Sequence, residues 1–240
     1  MARIAFIGGT GPEGTGLAMR FAKSGHAIYI GSRSEERAAE TVAKIHEASP
    51  GADLYGGPNW DGALKADFVF VTVPASAHAE ILKELEEAIA DKIVVDTVVP
   101  MSFEGEDGPV AAMPEAGSAG EEAASLLPNA KVVSAFHHLD AKQLQRVDKP
   151  MQGDVIVCGD DKAVKQKVMS LVEEINYVRA LDGGALKNSR FTEQLTVLLV
   201  HINKIYQAHT GIRVTGVYRR SGDGRPRSPS DLPARPSRGA

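Results

Sequence analysis

Three glycines, Gly9, Gly11 and Gly14, follow directly on the apolar run Ile4 to Ile7. At that spacing they suit one task, which is to hold a dinucleotide pyrophosphate on bare backbone. The first lets the chain turn tightly, the second admits a phosphate with no Cβ in the way, and the third packs the next helix on the strand. Thr10, Pro12 and Glu13 complete the loop. The helix that starts there points its unpaired N–H groups and positive dipole end at the phosphates. The end of the next apolar run decides the nucleotide. An NAD site usually carries an acid there, whereas this chain has Ser32-Arg33 with Arg37 one helical turn beyond. A hydroxyl and a guanidinium fork hold a 2′-phosphate that a carboxylate would repel, so the pattern points to NADP.

The remaining polar groups cluster after later apolar runs. They are Thr72-Val73-Pro74 with His78 just beyond, Asp96 to Pro100, and His137-His138. Nucleophilic triads and metal-ligand clusters are not evident in the sequence. Hydride transfer between two carriers needs neither, because the protein's task is to align donor and acceptor carbons and exclude water. The single cysteine, Cys158, cannot form an intrachain disulfide and sits in the apolar run Val155 to Cys158, where it reads as core.

These groups need a scaffold that gathers strand ends. Strand-like runs at Met1–Ile7, Ala27–Ile30, Ala66–Val73, Lys92–Val95 and Lys131–Phe136 alternate with helical periodicity at 14–24, 34–48 and 76–90. Such alternation predicts right-handed crossovers and a Rossmann-type, doubly wound parallel α/β sheet, with ligands at the carboxyl ends of its strands. Residues 101–120, rich in Gly, Ala, Glu and Pro, read as a mobile loop over the site. Beyond them come a strand at 154–158, a helix at 162–176, a strand at 177–181 and a long helix at about 185–209. The organisation expected is a nucleotide-binding domain over 1–140, a small α-rich C-terminal domain for second substrate and dimerisation over 141–217, and a tail over 218–240. Leu195, Leu198, Leu199, Ile202, Ile205 and Tyr206 give the last helix an apolar face too broad for one small domain, which suggests a homodimer.

Composition excludes other classes. The chain has 240 residues, 43% hydrophobic and 24% charged, enough for a substantial core. No stretch approaches the roughly 20 apolar residues of a membrane span, and the start lacks a leader pattern, so a cytoplasmic location is expected. The net charge of −4 argues against a nucleic-acid surface. Its tail from Tyr218 on, with six arginines, two aspartates and four prolines, is expected to be disordered.

Taken in order and spacing, several stretches resemble the deazaflavin-dependent NADP reductases, the coenzyme F420:NADP oxidoreductase family. They are Ile7 to Gly11, Gly25-His26 leading to Ile30 to Arg33, Lys92 to Val95 with Val99-Pro100, Val132 to His137, Val157 to Asp161, and Leu181-Asp182 through Asn188 to Arg190. The resemblance spans about residues 3 to 213. It implies hydride transfer between NADP(H) and the 8-hydroxy-5-deazaflavin coenzyme. It implies that Gly9 to Gly14, Ser32, Arg33, Arg37, Val73, Pro74 and His78 hold NADP, and that His137 and Leu139 lie beside the reacting rings. Val98, Pro100, His137, Arg190, Gln194 and Thr196 would border the deazaflavin. Pro12-Glu13, Asp140 and Gln194 depart from residues more usual in that family. The first 135 residues are also similar to imine reductases and to the cytosolic domain of membrane metalloreductases, and an NADP sensor without turnover is a further alternative.

Overall fold

A computed structural model describes residues 1–103 and 108–217. Its frame is a single sheet of eight strands with helices on both faces, plus a small hairpin. In chain order the elements begin β1 (Arg3–Ile7), α1 (Pro12–Lys23), β2 (Ala27–Gly31), α2 (Glu35–Ala48), β3 (Leu54–Gly57), α3 (Asn59–Lys65), β4 (Phe68–Val71), α4 (His78–Ile89) and β5 (Ile93–Asp96). The hairpin strands β6 (Met101–Phe103) and β7 (Pro109–Ala111), helix α5 (Ala119–Leu126) and β8 (Lys131–Ser134) follow. Then come α6 (Ala141–Leu144), β9 (Gly153–Gly159), α7 (Lys162–Glu173), β10 (Val178–Asp182) and α8 (Ser189–Tyr206).

The strand order is β10-β9-β8-β5-β4-β1-β2-β3, parallel throughout except where β9 runs antiparallel to β8. Because β2 lies on one side of β1 and β4 on the other, the order reverses between β1 and β4. In such a sheet that crevice receives the ligand. Buried Ile4, Phe6, Phe21, Phe70 and Phe136 fill one face, and Ile7, Val69, Leu82, Leu85 and Val94 the other. The strands are apolar on both faces because helices cover both.

Three features differ from the sequence expectation. Residues 101–120 hold a hairpin and the start of α5 rather than a bare loop. The helix is capped by Ser118, whose Oγ accepts from Glu121 N at 3.1 Å and donates to Glu121 Oε2 at 2.8 Å. Short α6 was also unforeseen, and Asp140 caps it by accepting from Gln143 N at 2.8 Å. Finally, the chain after residue 140 adds β9 and β10 to the same sheet before α8, which is shorter than the expected helix and ends where Gln207 turns left-handed. The expected disordered tail, 218–240, lies outside the described residues.

Buried Arg20 of α1 pins α6 in place. Its guanidinium donates to the carbonyls of Gln143, Leu144, Arg146 and Lys149 at 2.8 to 3.1 Å. Gly16 permits the close approach, since a Cβ there would lie 2.6 Å from Leu144 Cβ. Residues 137–140, which lead into α6, are thereby held against the nucleotide-binding end of the sheet.

Candidate functional site

Each glycine of the loop has a distinct structural reason. A Cβ at Gly9 would lie 2.7 Å from Phe6 Cβ and 2.8 Å from Phe6 O, so the turn closes only on glycine. At Gly14 it would meet Thr72 Oγ1 at 2.6 Å and Gly9 Cα at 2.9 Å, so α1 sits on β1 and β4 only without a side chain. Gly11 differs, having no heavy atom nearer than 3.9 Å, that of Gly8 O. Space at Gly11, directly before the first turn of α1, is the cradle that a Cβ would fill and a phosphate can enter. The first-turn N–H groups of a helix have no acceptor within it, so they face that space as anion donors. Asn59 braces the loop from α3, accepting from Gly8 N at 3.2 Å. Its role at the loop depends on a contact 51 residues away, which no local pattern announces.

At the end of β2, Ser32 is buried and its Oγ accepts from Ser34 N at 3.1 Å, which shapes the turn. Ser34 caps α2 by accepting from Arg37 N at 3.3 Å. The side chains of Arg33 and Arg37 are exposed beside this turn, and neither has a carboxylate partner in the described structure. Two exposed cations and a hydroxyl suit a 2′-phosphate.

A cavity of about 460 Å³ opens at the carboxyl ends of β4, β5 and β8, between the loop and α8. Of the expected site residues, Glu13, Val73, Pro74, Val98, His137, Leu139 and Thr196 line it. His138 lines it as well, beside the His137 that the resemblance places at the reacting rings. Met101 and Phe103 of the hairpin and Leu199 of α8 supply apolar wall. Such a mixture of apolar surface and a few convergent polar groups suits flat heteroaromatic rings.

His137 is placed by an unusual backbone. Fully buried Phe136 has φ +74°, a left-handed conformation costly for an aromatic residue, and it turns the chain so that the two histidines enter the cavity wall. Thr196 Oγ1 donates to His137 O at 3.0 Å and ties this turn to α8. Burial, with a smaller effect from His138, pushes His137 down to about 3, so its ring is neutral near pH 7. Its Nδ1 is buried without a partner. Burial also lowers His138, whose Nε2 donates to Thr192 O at 2.9 Å while Nδ1 is unpartnered. Both cavity-lining histidines thus keep a ring nitrogen with unused hydrogen-bonding capacity.

Other expected residues lie elsewhere. His78 is buried between Asp96 Oδ2 and Glu122 Oε2, both 2.7 Å away, and does not line the cavity. Burial works to lower it, but the two acids prevail and push it up to about 9, so it is a cation that balances Asp96. Asp96 Oδ1 in turn accepts from Val98 N at 3.0 Å and fixes the wall at Thr97-Val98. Arg190 is paired with both oxygens of Glu121, at 2.7 and 2.8 Å, and Gln194 is exposed with Nε2 2.9 Å from Met113 Sδ. Pro100, Arg190 and Gln194 do not line the cavity. Cys158 is buried, and burial pushes its thiol up to about 11, which suits core rather than nucleophile. Among the described residues no cluster could hold a metal ion, and no helix is long and apolar enough to cross a membrane.

Comparison with known proteins bears on this geometry. Residues 3–100 match the family model "NADP oxidoreductase coenzyme F420-dependent". The F420-dependent NADP reductase of Methanocaldococcus jannaschii is 38% identical over 221 residues, covering 90% of this chain and 99% of the relative. That of Methanothermobacter thermautotrophicus is 36% identical over 90% of this chain and 95% of its own. A crystal structure of a candidate F420-dependent NADP reductase from Arthrobacter sp. FB24 superposes with a TM-score of 0.74 at 26% identity, covering 87% of this chain and 96% of that one.

Proposed function

This chain belongs to the coenzyme F420-dependent NADP reductase family, and from that premise we propose that its central cavity stacks nicotinamide against deazaflavin for direct hydride transfer. The protein is an oxidoreductase that moves a hydride between NADP(H) and coenzyme F420. The observation that supports the site assignment is that the open backbone at Gly11 lies two residues before Glu13, which lines the cavity that extends to His137.

When bound, the two coenzymes supply the redox chemistry, and the chain supplies position. Gly9, Gly11 and Gly14 let the backbone receive the pyrophosphate, and Ser32, Arg33 and Arg37 take the 2′-phosphate. Val73, Pro74 and Val98 form wall against the rings, while the neutral rings of His137 and His138 offer hydrogen bonds that do not demand proton transfer. Leu139 and Leu199 keep water out, which matters because reactive carbons must approach to about 3–3.5 Å. Residues 1–140 carry the nucleotide, and residues 141–217 supply the α8 wall. Support for a homodimer comes from Phe191, Leu198, Ile205 and Tyr206, which leave α8 with large exposed apolar side chains, joined by Phe103 and Val110 of the hairpin. A second copy would cover them. The reading places the enzyme in the cytoplasm, where both coenzymes are free to diffuse.

Mixing the purified chain with NADPH and oxidised F420 tests the function. Deazaflavin absorbance should fall as NADPH is consumed. If both bind and absorbance is unchanged, the chain is a sensor rather than an enzyme.

A further inference from the structure

Glu13 is an acid in an unexpected place. It is the second residue of α1, and it lines the cavity with Thr72, Val73 and Val98. Oxygen Oε1 is sealed from solvent and has no hydrogen-bond partner. An unpaired carboxylate in such surroundings is disfavoured, and burial, with Asp96 adding to it, pushes Glu13 up to about 8.

The groups facing it offer no compensating cation. From the end of β5, Asp96 is already engaged by His78. From the end of β8, His137 and His138 are held toward the neutral form by burial, and Asp140 accepts from Gln143 N and His209 Nδ1. From β4, Thr72 Oγ1 donates to Ile7 O, and from α8 the cavity receives only the neutral Thr196, Leu199, Val200 and Asn203. A positively charged ring entering the cavity would therefore be the first cation to meet Glu13. Oxidised and reduced nicotinamide differ in just this respect, since the NADP⁺ ring is cationic and the NADPH ring is neutral.

Building on the proposed nicotinamide site, we propose that Glu13 reads the oxidation state of the cofactor: its carboxyl stays protonated beside NADPH and gives one proton to solvent when NADP⁺ binds. No electrons move in this step; protonated enzyme and NADP⁺ become carboxylate enzyme with NADP⁺ and a free proton. The carboxylate then holds the cationic ring, so the site favours NADP⁺ increasingly as pH rises, and the bound pair is biased toward oxidation of NADPH. The pyrophosphate on the same helix end disfavours the carboxylate equally in both redox states, and therefore does not discriminate between them.

The test is to measure Kd for NADP⁺ and NADPH from pH 6 to 9 on the full chain and on Glu13→Gln. Taking the ratio cancels titration of the 2′-phosphate, which both nucleotides share. In the wild type, Kd(NADPH)/Kd(NADP⁺) should rise by up to tenfold per pH unit and level off near pH 8. Calorimetry at pH 7 in buffers of different ionisation enthalpy should show release of up to one proton more on binding NADP⁺ than on binding NADPH, the 2′-phosphate contributing equally to both. Glu13→Gln should bind both nucleotides with a ratio independent of pH. A flat ratio or equal proton release with the two nucleotides in the wild type overturns the inference, as does a slope that survives in Glu13→Gln. Absence of binding by either nucleotide to the wild type would instead defeat the nicotinamide site itself, and the inference with it.

Discussion

Replacing Gly11 and Gly14 separately by alanine should divide cofactor binding from folding. Gly11 has φ −73° and ψ 164°, which alanine adopts freely, and its Cβ would touch nothing within 3.9 Å. As an N-cap it loses only the modest advantage of glycine over alanine, about 1 kcal/mol or less. In a chain of this size that is a fall of about 2–4 °C in Tm. The new methyl nevertheless occupies the approach to the α1 N-terminus and pushes a phosphate away from the N–H groups. Losing one hydrogen bond to a charged group costs about 1.5–3 kcal/mol, or roughly 10- to 150-fold in Kd. Gly14→Ala reverses the pattern. Its Cβ meets Thr72 Oγ1 at 2.6 Å and backbone at Gly9 Cα at 2.9 Å, so α1 must shift. Overpacking costs about 1–3 kcal/mol, offset by up to about 1 kcal/mol of helix propensity. Thermal unfolding without nucleotide, together with NADPH titration by fluorescence, measures both quantities. Should Gly11→Ala bind NADPH as tightly as the wild type, the cradle has been put in the wrong place.

Arg33→Asp should raise the Kd for NADPH by roughly 10- to 100-fold while leaving NADH nearly unchanged, since a charge-assisted contact to the 2′-phosphate is lost; equal losses for both would refute the specificity assignment. His137→Ala should slow hydride transfer by roughly 10- to 100-fold through misplacement without abolishing it. Complete loss with both coenzymes still bound would indicate an obligatory proton transfer. Stability should fall as pH rises from about 6.5 to 9, because Glu13 and Glu193 are pushed up to about 8 and His78 to about 9, and the folded chain keeps protons that the unfolded chain has released. Each fully linked proton is worth about 1.4 kcal/mol per pH unit, and a urea midpoint higher at pH 8.5 than at pH 6.5 would contradict this sign.

Much of the scaffold was legible because its rules are local. Glycine spacing, the Ser32-Arg33 pair and the stripe on α4 each state their structural role within a few residues. The Ser118 cap with Glu121 three residues on was equally local, and was hidden only by the Gly, Ala and Pro around it. Arg20 is a different case. Nothing near it announces four carbonyl partners lying 123 to 129 residues away. The antiparallel entry of β9 is likewise set by where the chain returns after α6, and not by the composition of its apolar run.

The site shows the same division more sharply. His78 and Glu13 both follow strands that end at the crevice, and the sequence resemblance counts both among the residues that hold NADP. What separates them is partners contributed from elsewhere in the chain. Two acids, 18 and 44 residues distant, claim both ring nitrogens of His78 and hold it as a structural cation. Glu13 Oε1 meets none, and its residue lines the cavity with that charge-bearing group unclaimed by the fold. A motif fixes where a side chain starts, but the distant groups that do or do not satisfy it decide whether it is bound up in the fold or available to a ligand.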